Sequence, residues 1–123
     1  MIKAYFNNIN EVISSFASII KRFTKTEKTY SIQKGYIKGE IVFNDDSTLS
    51  FMELKDISEK QKIKYRYHFM NNENSLIFRY DNAEHYHEIS TFPHHKHLTN
   101  NIVESLEPEL IDIMIEIYKT RYK

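Results

Sequence analysis

Along the first sixteen residues, apolar side chains fall at Ile2, Tyr5, Phe6, Ile9, Val12, Ile13 and Phe16. Spacings of three and four trace one face of an α-helix. The register could continue through Ile19 and Phe23, but threonine, lysine and β-branched residues follow, so the helix is expected to end near Ser14-Ser15. The period then drops to two. Lys21–Tyr30 reads as a strand before Gly35, and Tyr36–Phe43 as the next, with Ile37, Ile41 and Phe43 on one side. Thr48–Lys55 alternates through Leu49 and Phe51. Lys62–Met70 sets Ile63, Tyr65, Tyr67 and Phe69 against Lys64, Arg66, His68 and Met70. Leu76–Asp81 sets Leu76, Phe78 and Tyr80 against Ile77, Arg79 and Asp81. Asn44–Ser47 and Asn71–Asn74 separate strands, and Asp56–Lys60 is a polar loop. With two glycines in the chain, asparagine and aspartate must carry most of the turn chemistry.

Residues Asn82–Glu104 show no period, which predicts a long ordered loop of the kind that usually carries function. The tail reads as a helix. Ser105 can cap it, Pro108 is tolerated in its first turn, and Leu106, Leu110, Ile113, Met114 and Ile117 form its core stripe. Glu107 and Glu109 at its start, with Lys119, Arg121 and Lys123 at its end, match the helix dipole. The expected class is α+β: an antiparallel meander sheet of four or five strands, an N-terminal and a C-terminal helix, and a long His-rich loop.

The 123 residues suit one domain spanning 1–123. There is no cysteine, which excludes disulfides and thiolate metal sites and fits a cytoplasmic location. Met1–Tyr5 does not resemble a signal peptide, and the apolar runs are too short to span a membrane. Seventeen basic and seventeen acidic residues cancel, so no global field steers the protein onto nucleic acid. Between Lys21 and Lys38, however, six basic residues face one acid, Glu27. Such a stripe serves either a phosphate backbone or a solvated, edge-protecting strand.

The candidate chemistry is concentrated. Five of the six histidines (His85, His87, His94, His95 and His97) lie between Arg79 and His97. Histidine exchanges protons near neutral pH and is the commonest metal ligand. In an extended segment His95 and His97 point one way and His94 the other. Acid-base catalysis, a zinc- or nickel-type site, and loop histidines bonded to backbone all remain open at this point. Arg79 and Asp81 share one side of their strand, and Arg66 and His68 can join them on one sheet face. There an arginine fork suits a phosphate, while the plain alternative is surface ion pairs. Glu53 ends the Leu49/Phe51 row, where partial burial would raise its pKa towards that of a general base. Tyr65, Tyr67 and Tyr80 can stack bases or fill the core.

The phrases Tyr65-Arg66-Tyr67-His68, Leu76-Ile77-Phe78-Arg79-Tyr80-Asp81-Asn82-Ala83, His85 and Thr91-Phe92-Pro93-His94-His95-Lys96-His97 resemble the TumE-type toxin family of prokaryotic toxin–antitoxin systems. Gly35–Gly39 and Phe51-Met52-Glu53 extend the likeness. The "EHYHEIS" stretch departs from the family pattern at His87. The resemblance implies a small cytoplasmic toxin encoded beside an antitoxin that often carries a helix-turn-helix. The residues then suggest an RNA-cleaving enzyme with no metal and no cofactor, acting on ribosome-bound mRNA or tRNA. The ribose 2′-hydroxyl would attack the adjacent phosphate. Glu53 or His85 would serve as base and His95 or His97 as acid, with Arg79, Lys96 and Arg66 steadying the phosphorane. Tyr67, His68, Asp81 and His94 would bind substrate. The rival expectations are a non-catalytic interaction module and a metal-dependent nuclease or nucleotidyltransferase. The catalytic expectation requires the histidines after the last predicted strand to fold back over the arginines of the sheet.

Overall fold

The computed structural model describes residues 1–84 and 90–122. Its elements follow in order as α1 (Ile2–Ser14), a 3-10 turn (Ala17–Ile19), β1 (Ile20–Thr29), β2 (Lys34–Phe43), β3 (Thr48–Asp56), β4 (Lys64–Met70), β5 (Leu76–Asp81), β6 (His95–His97), β7 (Ile102–Glu104) and α2 (Leu110–Arg121). The strands form one antiparallel sheet in sequence order, β1 to β7. The class is α+β, as the periodicities indicate, but the sheet has seven strands where four or five are expected. The difference lies in the region read as a loop. There β6 pairs with β5 and β7 with β6, three residues each. Three residues are too few to display a period of two.

The turns bear out the reading of asparagine and aspartate. Asp46 and Asn74 take positive φ of 66° and 64°, a conformation their short polar side chains tolerate without glycine. Both helices lie on one face of the sheet. Ile2, Phe6, Ile9 and Ile13 of α1 and Leu110, Ile113, Met114 and Ile117 of α2 are buried in a common core with Ile37, Ile41, Leu49, Phe51, Tyr65, Tyr67, Phe69 and Phe78. Each large side chain fully removed from water contributes roughly 1.5–3 kcal/mol.

The tail helix begins later than expected. Leu106 is 80% exposed and takes no part in the stripe. The cap is Glu109 rather than Ser105: Glu109 and Asp112 exchange side-chain-to-backbone hydrogen bonds in a capping box. The reason lies on β4's approach. The Lys62 ammonium is buried and donates to the Glu107 and Glu109 carboxylates and, at 2.9 Å, to the Pro108 carbonyl. That clamp occupies the residues that would otherwise form a first turn. At the opposite edge β1 is ten residues long and bonded on one side, to β2. Its exposed Lys21, Arg22, Lys25 and Lys28 are the solvated edge that the basic run suggested. No described helix is long and apolar enough to cross a membrane.

Candidate functional site

Register sorts the candidate residues onto two faces. Directly opposed residues in neighbouring strands project to the same side. One row runs Thr26, Lys38, Met52, Arg66, Asp81, His95 across β1 to β6, and the adjacent row runs Thr24, Glu40, Ser50, His68, Arg79, His97. Both lie on the face away from the helices. The intervening rows, which carry Glu53 with Tyr65 and Phe51 with Tyr67, Tyr80 and Lys96, face the helices.

On the open face Asp81 is the hub. Its Oδ1 accepts the Ala83 backbone N–H at 3.0 Å and lies 2.8 Å from His95 Nε2. Its Oδ2 accepts the Arg79 Nε–H at 3.0 Å and stands 3.4 Å from His97 Nε2. The side chains of Asp81 and His95 are 5% and 2% exposed, against 24% for His97 and 38% for Arg79. The buried pair is therefore the foundation, and the ring and guanidinium above it are the reachable groups. His95 is fixed from both ends: its Nδ1–H donates to the Pro93 carbonyl at 2.9 Å while Nε2 faces the Asp81 carboxylate. Both neighbours are acceptors, and together they fix the plane of the ring. The His95 and His97 rings meet edge to face, with centroids 4.8 Å apart.

Burial lowers the pKa of His97 below its ordinary value of 6.5, against an upward pull from Asp81. Burial, with help from Arg79 and Arg66, also lowers that of His68. Both rings are therefore proton acceptors at neutral pH. Arg66 stands beside Asp81 in the row, and His68 beside Arg79.

Four candidates face the helices instead. Glu53 is fully buried and accepts hydrogen bonds from the hydroxyls of Tyr5 and, at 2.6 Å, Tyr67. Desolvation raises its pKa, opposed by Lys62 and by the two tyrosines. The burial expected of Glu53 is present, but the sheet separates it from Arg79 and His97. Tyr67 is wholly buried with it. His94 shares a 2.9 Å hydrogen bond between its Nδ1 and the Tyr65 hydroxyl and stacks on that ring. Lys96 donates to Glu116 of α2 at 2.8 Å and lies over the Tyr80 ring. These contacts hold β6 to the core. His85 lies outside the described residues, as does His87.

Asp81, His95 and His97 offer ligand atoms within 4.8 Å of one another, a spacing that one divalent ion can bridge. The Pro93 carbonyl would orient His95 as outer-shell partners do in metal sites. The Arg79 guanidinium on the same carboxylate counts against a metal, because a further cation must share Asp81 with an existing one. The donor set fits by distance and is opposed by charge.

The sequence matches, over residues 9–121, the model of a family described as toxin TumE. No curated protein and no solved structure matches it.

Proposed function

The chain belongs to the TumE toxin family, and from that premise we propose that it is a toxin that cleaves RNA by metal-independent acid-base chemistry on the open face of its sheet. The supporting observation is the Asp81 hub, which brings Arg79, His95 and His97 together where solvent reaches two of them. His97 is neutral at pH 7 and can accept the proton of a ribose 2′-hydroxyl. It thus takes the base role that the sequence suggested for Glu53 or His85. The freed oxygen attacks the adjacent phosphorus, a phosphorus–oxygen bond forms, and the bond to the 5′ oxygen of the next nucleotide breaks. The proton held by His97 passes to that departing oxygen. The products are a 2′,3′-cyclic phosphate and a 5′-hydroxyl. Proton transfer of this kind supplies on the order of 100- to 10,000-fold. The outward N–H groups of Arg79 stabilise the phosphorane, an effect worth a few kcal/mol in a partly dry site. Asp81 and His95 position the ring and the guanidinium.

Purified protein incubated with total RNA, with and without EDTA, tests this reading, with end analysis of any fragments. Cyclic-phosphate ends in both tubes, abolished by His97→Ala, are expected. Intact RNA at high protein excess in both tubes would overturn ribonuclease activity. Cleavage abolished by EDTA would transfer the site to the metal-dependent reading that the Asp81–His95–His97 spacing supports. A family of toxins further implies an antitoxin, and we expect that partner to carry a helix-turn-helix. A neighbouring gene encoding such a protein, and growth rescue on its co-expression, check this.

A further inference from the structure

The formal net charge of zero coexists with a local excess of cations on the open face of the sheet, while on the helix-covered side carboxylates and lysines pair with one another. The helix-covered side holds carboxylates at Glu27, Glu53, Glu107, Glu109 and Glu116, joined to Asn10, Tyr5, Lys62 and Lys96. The open side carries Lys38, Arg66 and Arg79 in the two rows that run through the histidines to Glu104 and Ile102 of β7. Two residues further along each strand, and so on the same face, Lys28, Tyr36, Leu54 and Lys64 form a parallel row. Glu40, Asp81 and, opposite His95 on β7, Glu104 oppose these cations in the three rows, and Asp81 is engaged by Arg79.

The same face is hollowed at its β1–β3 end. An open groove of about 330 Å³ is lined by Thr24, Lys25, Thr26, Lys38, Gly39, Glu40, Ser50, Phe51 and Arg66, of which Thr24, Thr26, Lys38, Glu40, Ser50 and Arg66 belong to the open-face rows. Lys25 itself turns away, to Glu27. The groove's last wall, Arg66, is the cross-strand neighbour of Asp81. Groove and histidine cluster are therefore continuous. From β2 to β6 the face spans four strand spacings, roughly 19 Å.

We infer that this face is a binding track for single-stranded RNA, running from the Thr24–Lys38–Ser50 groove across Arg66 to the Asp81–His97 cluster. The inference rests on the ribonuclease reading above and names how that site holds its substrate. The chemistry of the lining matches a ribose-phosphate chain. Lys38 and Arg66 meet phosphates, and hydroxyls of Thr24, Thr26 and Ser50 serve sugar oxygens. Glu40 accepts from base amino groups or a 2′-hydroxyl. The half-buried Tyr36 flanks Lys38 and presents a ring for stacking. A shallow cationic channel on a sheet, wide enough for roughly four nucleotides, suits one strand better than an A-form helix.

The test measures binding separately from cleavage. A labelled 12-nucleotide RNA with 2′-O-methyl groups, which has no nucleophile to react, is titrated with wild type, Lys38→Ala, Arg66→Ala and the helix-side control Lys119→Ala. The same RNA annealed to its complement is titrated alongside. The expected result is tighter binding of the single strand. Lys38→Ala and Arg66→Ala should each lose roughly threefold to tenfold in affinity and about one unit of salt slope, with Lys119→Ala unchanged. Equal binding by wild type and both groove variants would overturn the track, as would preference for the duplex. Unmodified RNA distinguishes the two proposals. Cleavage with undiminished groove-variant binding sinks the track alone; groove-dependent binding with RNA left intact sinks the ribonuclease alone.

Discussion

Among the described residues, each face of the sheet holds one buried carboxylate, and the two are held in opposite ways. Glu53, among the helices, is met by two phenolic hydroxyls in an apolar layer, and desolvation raises its pKa. Asp81, on the open face, is met by a guanidinium, a backbone amide and two imidazoles, two of these partners being within reach of solvent. The first arrangement closes a core and gives a substrate nothing to touch. The second organises groups that a substrate can touch. Burial of an acid is therefore a poor guide to catalysis by itself; what matters is whether its partners are exposed.

The contrast breaks most visibly at Asp81. Asp81→Asn should reduce RNA cleavage, or growth arrest on expression, on the order of 1,000-fold, because a single amide oxygen can no longer serve Arg79 and His97 on one side and Ala83 and His95 on the other. Arg79→Ala should cost about 100-fold in cleavage rate, with a melting temperature close to wild type. Glu53 should behave in the reverse sense. Glu53→Ala leaves the Tyr5 and Tyr67 hydroxyls without their acceptor, each costing on the order of 1–3 kcal/mol in a denaturation experiment, while the rate per folded molecule stays at wild type. A large rate loss in stable Glu53→Gln would erase the distinction between the faces.

Two pH experiments sharpen it. The folded pKa of Glu53 lies above its ordinary 4.5, so the protonated form is favoured in the fold. Its contribution to stability is full below about pH 4.5 and declines as pH rises through the folded value. Glu53→Gln should flatten that decline in urea melts taken from about pH 4.5 upward. On the other face, the His97 pKa lies below 6.5, so cleavage should hold steady above pH 6.5 and fall as acid protonates the ring. A rate that instead climbs towards low pH would make His97 a proton donor.

Much of this division can be read from alternation. Glu53 follows Leu49 and Phe51 on the apolar side, and Arg66 stands opposite Tyr65 and Tyr67. The same parity that gathers Arg66, His68, Arg79 and Asp81 also removes Glu53 from them. Lys96 is likewise turned away by its place between His95 and His97. The two short strands were not legible, because three residues carry no measurable period and Pro93 interrupts the approach. The hub role of Asp81 was also hidden. It depends on β6 lying beside β5, a pairing of residues fourteen apart that no local pattern announces. Lys38 and Ser50 shared the open-face parity, but only the register aligns them with the histidines.

The outer margin of β1 has a practical consequence. Ten residues of backbone are bonded to β2 on one side, and the ammonium groups of Lys21, Lys25 and Lys28 stand along them. Acylating those amines would leave a bare template for a second molecule to zip onto. Concentrated, amine-blocked protein should therefore scatter light and gain intermolecular β-signal in the infrared, while untreated samples remain clear.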